Sequence, residues 1–212
     1  MNSERSRIVT ELVVATKNPG KLREIQDLLS RFHLKIFSLR DFPQIPPPLE
    51  DGVTFAENAA KKAMEVACKT NRLALADDSG LVVDALQGRP GVFSARYAGE
   101  NATDEQRCQK LLSEMANVPE GKRQATFVCA IAMASPMGKL QVVDAECYGR
   151  IAFSPRGEKG FGYDPIFFLP QFSQTMAELH PDVKNRISHR GRALKKARRL
   201  LPAFLKEAKS LP

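Results

Sequence analysis

Two adjacent carboxylates, Asp77 and Asp78, interrupt an apolar run. Leu73-Ala74-Leu75-Ala76 leads into Asp77-Asp78-Ser79-Gly80, and Leu81-Val82-Val83 follows. Ionised carboxylates side by side repel each other and lose solvation unless a cation or hydrogen-bond donors compensate. That is the chemistry of a metal or phosphate site. A short apolar run bounded by turn residues fits a buried strand, which puts the carboxylates at the strand's end, where open α/β sheets bind ligands. The same residues also suit a polar turn between two strands. Other polar, glycine-containing loops that follow apolar runs favour the functional reading.

The first of these is Thr16-Lys17-Asn18-Pro19-Gly20-Lys21, after the strand-like Leu12-Val13-Val14-Ala15. Asn18 is a good N-cap and Pro19 suits the first helical position. Leu22, Ile25, Leu28, Leu29 and Phe32 then recur at helical spacing. A turn opening a helix points free N–H groups outward, a ready anion site. It is not a Walker A loop, because the leading Gly is absent and Leu22 follows the Lys. Glu50 sits just ahead of Thr54-Phe55-Ala56-Glu57, a capping-box pattern opening a helix to about Lys69. On its own Glu50 reads as a solvated loop carboxylate. A glycine-dense loop, Ser154 to Pro165, carries Phe161 and Tyr163 as expected exposed aromatics, suiting close approach to a flat ligand or a plain hairpin loop.

The elements that must position these groups alternate between strand and helix patterns. Leu34 to Leu39 reads as a second strand. Asp41 to Leu49, with four prolines, reads as an extended loop. Thr103-Asp104-Glu105-Gln106 and Thr175-Met176-Ala177-Glu178 are further capping boxes. Phe127, Cys129, Ile131 and Met133 alternate in a strand that pairs back through a Pro136 to Lys139 turn with Leu140 to Tyr148, so the sheet is mixed. A final helix with Ala193, Ala197, Leu200, Leu201 and Phe204 inward should kink or end at Pro202.

The 212-residue chain has ordinary globular composition, 43% hydrophobic and 26% charged. No apolar run approaches the roughly 20 residues that span a bilayer, and no apolar signal segment follows Met1 to Arg7. A soluble, cytoplasmic protein without membrane contact is expected. Cys68, Cys108, Cys129 and Cys147 form no C-x-x-C pair, so reduced thiols are expected. His33, His180 and His189 have no metal-ligand spacing. The net charge of +8 favours anionic partners and is concentrated between Lys184 and Arg199. Helix-turn-helix, zinc-finger and RRM signatures are absent, so no specific nucleic-acid partner is expected.

Taken in order, the motifs resemble the inosine/xanthosine triphosphate pyrophosphatase family, which hydrolyses non-standard purine nucleoside triphosphates. The matching pieces are Thr16 to Lys21, Glu50-Asp51-Gly52-Val53-Thr54-Phe55 with Glu57-Asn58-Ala59, and Ala76 to Leu81. Pro90 to Gly99, Gly160-Phe161-Gly162-Tyr163-Asp164-Pro165 and Ser188-His189-Arg190-Gly191 complete the set.

The resemblance implies an elongated, two-lobed, mixed-sheet α/β fold with the active cleft between the lobes. Residues 12–212 would be that single domain, and residues 1–11 an N-terminal extension. It further implies a homodimer, Mg2+ as cofactor, and hydrolysis of ITP, dITP and XTP to the monophosphate and pyrophosphate, cleansing the nucleotide pool. Asp78 matches the catalytic base, and Glu50 with Asp78 the metal ligands. Thr16, Lys17, Asn18, Pro19, Gly20 and Lys21 match the triphosphate loop, with Lys17 where many members have Gly. Ser79, Phe161, Gly162, Tyr163, Asp164, Lys184, His189 and Arg190 match the nucleotide-binding positions. His180 to Val183 reads as a connector. Arg190, a donor-only side chain, would suit the 6-oxo edge of the base. A Maf-type pyrophosphatase acting on other modified nucleotides and a basic nucleic-acid-binding module are the rival readings.

Overall fold

The computed structural model of the chain describes residues 10–208. Strand β1 (Thr10–Val14) begins two residues before the apolar run that announces it. The remaining strands are β2 (Leu34–Ser38), β3 (Leu73–Val83), β4 (Gln124–Ala134), β5 (Leu140–Ile151), β6 (Phe167–Leu169) and β7 (Gln174–Thr175). They form one sheet in the order β2-β1-β3-β4-β5-β6-β7. β1 runs parallel to β2 and β3, and every later pairing is antiparallel, so the sheet is mixed as expected. The helices are α1 (Pro19–Leu29), α2 (Phe55–Thr70), α3 (Asp104–Glu114), α4 (Pro181–Ile187), α5 (His189–Ala197) and α6 (Leu201–Ala208).

Strand alternation assigns the sheet's two faces. Leu73 and Leu75 join Ile25, Leu29, Leu194 and Phe204 in a core under α1, α5 and α6. Ala74 and Ala76 face the other way, against Ala59, Ala63, Val66 and Ala67 of α2. That second interface is nearly all alanine, with Ala130, Ala132 and Ala134 supplied by β4. Small side chains let α2 lie close to the sheet, and a larger residue there would overpack it at about 1–3 kcal/mol. A third core gathers Leu81, Val83, Phe127, Leu111, Met115 and Phe167 at the far end of β3 and β4. On the α1/α5 face, the residues of β3 between the two apolar cores are Asp77 and Ser79. A polar waist between two apolar cores is thus written into one strand.

Several expectations need correction. Asp77 and Asp78 do not end a strand or make a turn: β3 stays in register with β4 from Ala74↔Ala134 to Val83↔Ala125. Gly80 does not break the strand. It is needed because a Cβ there would lie 2.4 Å from the Ser94 hydroxyl and 2.6 Å from the Gly91 carbonyl. Thr175 to Glu178 starts no helix; its carboxylate accepts from the Thr175 N–H, while the next helix, α4, is capped by His180. The supposed connector at Pro181 is therefore the first turn of α4. The C-terminal helix is two helices, with Pro202 in the first turn of α6, where its missing N–H costs nothing. The expected N-terminal extension falls mostly outside the described residues.

Candidate active site

β1 pairs with β3 only as far as Val14↔Leu75, and the Ala15 N–H makes the last contact, to the Leu75 carbonyl at 2.8 Å. From there the chain turns away into Thr16 to Lys21. Among the described residues the edge of β3 facing β1 therefore has no strand partner from Ala76 until Leu81 N reaches the Ser94 hydroxyl and Val82 bridges Pro90, while β4 still covers its other edge. Asp77 and Asp78 sit at that opening, just past the end of the parallel ladder. Ligands in α/β sheets bind outside the carboxyl ends of parallel strands. The parallel ladder ends here because β1 stops, while β3 continues beside β4.

Asp77 points to the α1/α5 face and is fully enclosed. Its Oδ1 lies 2.5 Å from Lys21 Nζ and accepts from the Ser79 hydroxyl at 2.8 Å. Its Oδ2 accepts from Arg190 Nε at 2.8 Å and from the Cys129 thiol at 3.1 Å. Burial alone would raise its pKa, but Arg190 and Lys21 outweigh burial and hold the carboxyl well below the usual range. The network runs on from Arg190 to Glu24 (2.6 Å), from Glu24 to Lys184 (2.8 Å), and from Lys184 to Asp164 (2.6 Å). Three cations alternate with three anions across the waist.

Asp78 points to the α2 face. Lys62 Nζ bridges its Oδ1 (2.8 Å) and Glu50 Oε1 (2.6 Å), and also donates to the Asp77 carbonyl (3.0 Å). Asp78 Oδ2 is buried and accepts no hydrogen bond among the described residues. Burial raises the Asp78 pKa, and Lys62 offsets this only in part. Glu50 is pulled down: Lys62, then Lys21 and Arg96, overcome its burial. Lys21 acts electrostatically on Asp77, Asp78 and Glu50 alike, so it stands at the notch where the two faces meet.

The Thr16–Lys21 loop forms as its residues dictate, with Asn18 as N-cap and Pro19 in the first turn. Asn18 Oδ1 accepts from Gly20 N (2.8 Å) and Lys21 N (3.1 Å). The expected free N–H donors are therefore taken, and an incoming anion would have to compete with Asn18. Lys17 is exposed and offers its carbonyl to Arg40. Gly20 is required by contact: a Cβ would come within 2.7 Å of the Phe161 ring.

A cleft of about 600 Å³ lies on the α1/α5 side. Asn18, Lys21, Ser79, Phe161, Gly162, Tyr163, Asp164, Lys184, His189 and Arg190 all line it. Thr16, Lys17, Pro19, Gly20, Glu50 and Asp78 are not part of its lining. Phe161 has Lys184 and Arg190 near its ring, at 4.9 and 5.3 Å from the centroid. Tyr163, expected to be exposed, is buried, because its hydroxyl donates to the Ser94 carbonyl at 2.9 Å. His189 stacks on Phe127 with centroids 4.6 Å apart, and its Nδ1 has no partner among the described residues. Burial and the neighbouring Arg190 push its pKa well below the usual value, so the ring is neutral. Arg190 uses three N–H groups on Asp77, Glu24 and Ser79; two of its five remain for a ligand.

Sequence reasoning missed Lys62, Glu24, Asp104 and Arg107. Lys62 was legible in principle: it lies three residues after Ala59 and four before Val66, squarely on the apolar stripe of α2. A lysine there must find a buried partner. Asp104, the first residue of α3, accepts the Gly162 N–H at 2.7 Å and so fixes the glycine loop. Among the described residues no three His, Cys, Asp or Glu side chains cluster tightly enough to hold a metal unaided.

An open strand edge with two oppositely tuned carboxylates, beside a cation-rich cleft, defines an α/β enzyme-like site for a multiply charged anion. The Ham1 family pattern matches residues 12–200, and the chain belongs to that family. A dITP/XTP pyrophosphatase from Geobacter sulfurreducens is 57% identical over 186 residues, covering 88% of this chain and 94% of that protein. The structure of a HAM1 protein from Coxiella burnetii superposes with a TM-score of 0.83 at 44% identity, covering 92% of this chain and all of that one. A nucleoside-triphosphatase, dITP/XTP pyrophosphatase from Mycobacterium abscessus gives a TM-score of 0.73 at 41% identity, covering 89% and 98%.

Proposed function

We propose that this protein hydrolyses non-standard purine nucleoside triphosphates (ITP, dITP and XTP) to the monophosphate and pyrophosphate. Removing such nucleotides cleanses the nucleotide pool. The observation that carries this reading is Asp78: a buried carboxylate of raised pKa with one oxygen unpartnered, at an open strand edge beside a cation-lined cleft.

In this reading Asp78 takes the proton of a water as its oxygen bonds to the α-phosphorus. The bond from that phosphorus to the bridging oxygen breaks, and pyrophosphate leaves. A carboxylate of raised pKa is the better base. Lys62 keeps Asp78 and Glu50 side by side, and Lys21 offers a positive charge to the phosphates. Catalysis then rests on positioning and fixed charge.

Magnesium suits the donor set. Mg2+ is usually held by one or two carboxylates together with substrate phosphates. Glu50 and Asp78 each keep an oxygen that Lys62 does not take, and the lone buried Asp78 Oδ2 lacks any other partner. When bound there, the ion would neutralise phosphate charge.

Phe161, Tyr163, His189, Arg190, Lys184 and Asp164 form the nucleoside end in this assignment, with Ser79 between base and phosphate sites. Val53 and Phe93, both exposed on one groove, support a homodimer. Four free cysteines support a reducing, cytoplasmic setting. No helix among the described residues is long and apolar enough to cross a membrane.

The test is pyrophosphate release from ITP, dITP, XTP, ATP, GTP and modified pyrimidine triphosphates, with magnesium and with chelator. Hydrolysis of the three 6-oxo substrates well above ATP and GTP is expected. Preference for a pyrimidine, or release of orthophosphate alone, would overturn the assignment.

A further inference from the structure

A second cleft, with room for about 300 Å³, shares no lining residue with the catalytic one. Its floor is Arg123, which is 2% exposed. The Arg123 guanidinium donates to four carbonyls: Ile151 (2.8 Å), Met115 (2.8 Å), Val118 (3.0 Å) and Ala152 (3.0 Å). No salt bridge joins it to a carboxylate among the described residues. Carbonyls fix its position without cancelling its charge.

Phe153 lies against this fixed cation, its ring centroid 4.3 Å from the guanidinium carbon, yet it stays 64% exposed. An aromatic ring braced by a cation, with solvent on its free side, is a stacking platform. Arg150 and Arg156 flank it. Arg156 packs over Phe168 at 5.3 Å and shares a partly exposed ion pair with Glu178 at 3.5 Å. Arg150 has no ion-pair partner among the described residues. Against three guanidiniums stand Glu178 and the rim residue Glu120, so positive charge is in surplus. Arginines of this kind match phosphate with paired N–H donors.

We propose that this cleft binds a nucleoside 5′-monophosphate, with the base on Phe153 and the phosphate between Arg150 and Arg156. One platform and two flanking arginines suit a single nucleotide, and the concave shape favours a small ligand over a strand of nucleic acid. The inference is independent of the catalytic assignment.

The experiment is calorimetric titration of the whole protein with GMP, and with guanosine and inorganic phosphate separately. Phe153→Ala and Arg150→Ala are the test variants; both side chains are exposed, and circular dichroism checks their fold. Each variant should weaken GMP binding at least tenfold while leaving kcat/KM for triphosphate hydrolysis unchanged. Asp78→Asn should leave this binding intact. Inorganic phosphate and guanosine should each bind far more weakly than GMP. The proposal is overturned if GMP does not bind, if neither variant affects it, or if inorganic phosphate binds as well as GMP. It is equally overturned if the variants change only the oligomeric state by light scattering, which would make this face a contact between copies.

Discussion

Asp77 and Asp78 are covalent neighbours that face opposite sides of β3, and different cations govern their charges. Arg190 and Lys21 hold Asp77 well below the usual carboxylate range, whereas burial lifts Asp78 despite Lys62. One carboxylate is thus locked as an anion that organises arginine and lysine. The other is left with a free oxygen and the higher basicity.

Their asparagine variants should therefore fail differently. Asp78→Asn should lower kcat by about a hundredfold to ten-thousandfold, the usual span for a general base, with a modest change in stability. Asp77→Asn should cost about 3–5 kcal/mol, because it takes the fully buried counter-ion from Arg190 and Lys21 together and leaves Arg190 only Glu24. Pyrophosphate release and urea unfolding on both proteins separate the two. Equal losses of stability would contradict the assignment.

Lys62→Met removes the ammonium shared by Glu50 and Asp78. Breaking such a buried pair costs about 3–5 kcal/mol near neutral pH. Asp78, already raised, would then bind a proton more readily in the folded state than in the unfolded one. More protons bound when folded means that stability rises as pH falls. The deficit relative to wild type should shrink as pH falls from 7 toward the ordinary carboxylate range, about pH 4, in denaturant titrations. A deficit independent of pH would mean Lys62 acts through packing alone.

Arg190 carries both a structural and a selective expectation. Arg190→Ala should destabilise the fold, since Asp77 and Glu24 both lose a partner at 2.8 and 2.6 Å. If its two spare donors meet the 6-oxo edge, the folded variant should also lose more kcat/KM for ITP than for ATP. A gap narrowed by about tenfold or more corresponds to one lost polar contact. Lys21→Ala serves as the contrast, lowering kcat/KM for all triphosphates by a similar factor. Equal losses on ITP and ATP in Arg190→Ala would reduce that residue to a positioning role.

His189 sets a pH dependence of its own. Its folded pKa is well below the usual value, so the unfolded chain takes up the proton first. Stability from this residue is complete above about pH 6.5 and falls as pH drops, by at most about 1.4 kcal/mol per pH unit. Asp77, also depressed in the fold, adds a further loss below about pH 4. His189→Phe, which can still stack on Phe127, should flatten the decline between about pH 6 and pH 5. An unchanged slope would place the titration elsewhere.

The sequence by itself determined where the helices around the site begin and how β4 alternates. Asn18 and Pro19 start α1, Thr103 and Gln106 close a full capping box on α3, and the apolar alternation of β4 survives intact. These are set by residues within a few positions of one another. The capping pattern failed at Thr175, because the chain there is committed to pairing β7 with β6, and the same carboxylate serves a strand end.

Only the tertiary structure decided where the carboxylates lie and what holds them. Asp77 and Asp78 looked like a strand's end because local signals cannot reveal that β1 stops at Val14 while β3 runs on beside β4. The partners that tune them come from residues far off in the chain: Lys62 from α2, Lys21 from α1 and Arg190 from α5. Charge pairing inside a protein depends on distance and burial, and neither is a property of sequence spacing. The same limit hid Lys62, a charge on an apolar stripe whose role appears only once Asp78 and Glu50 fold against it.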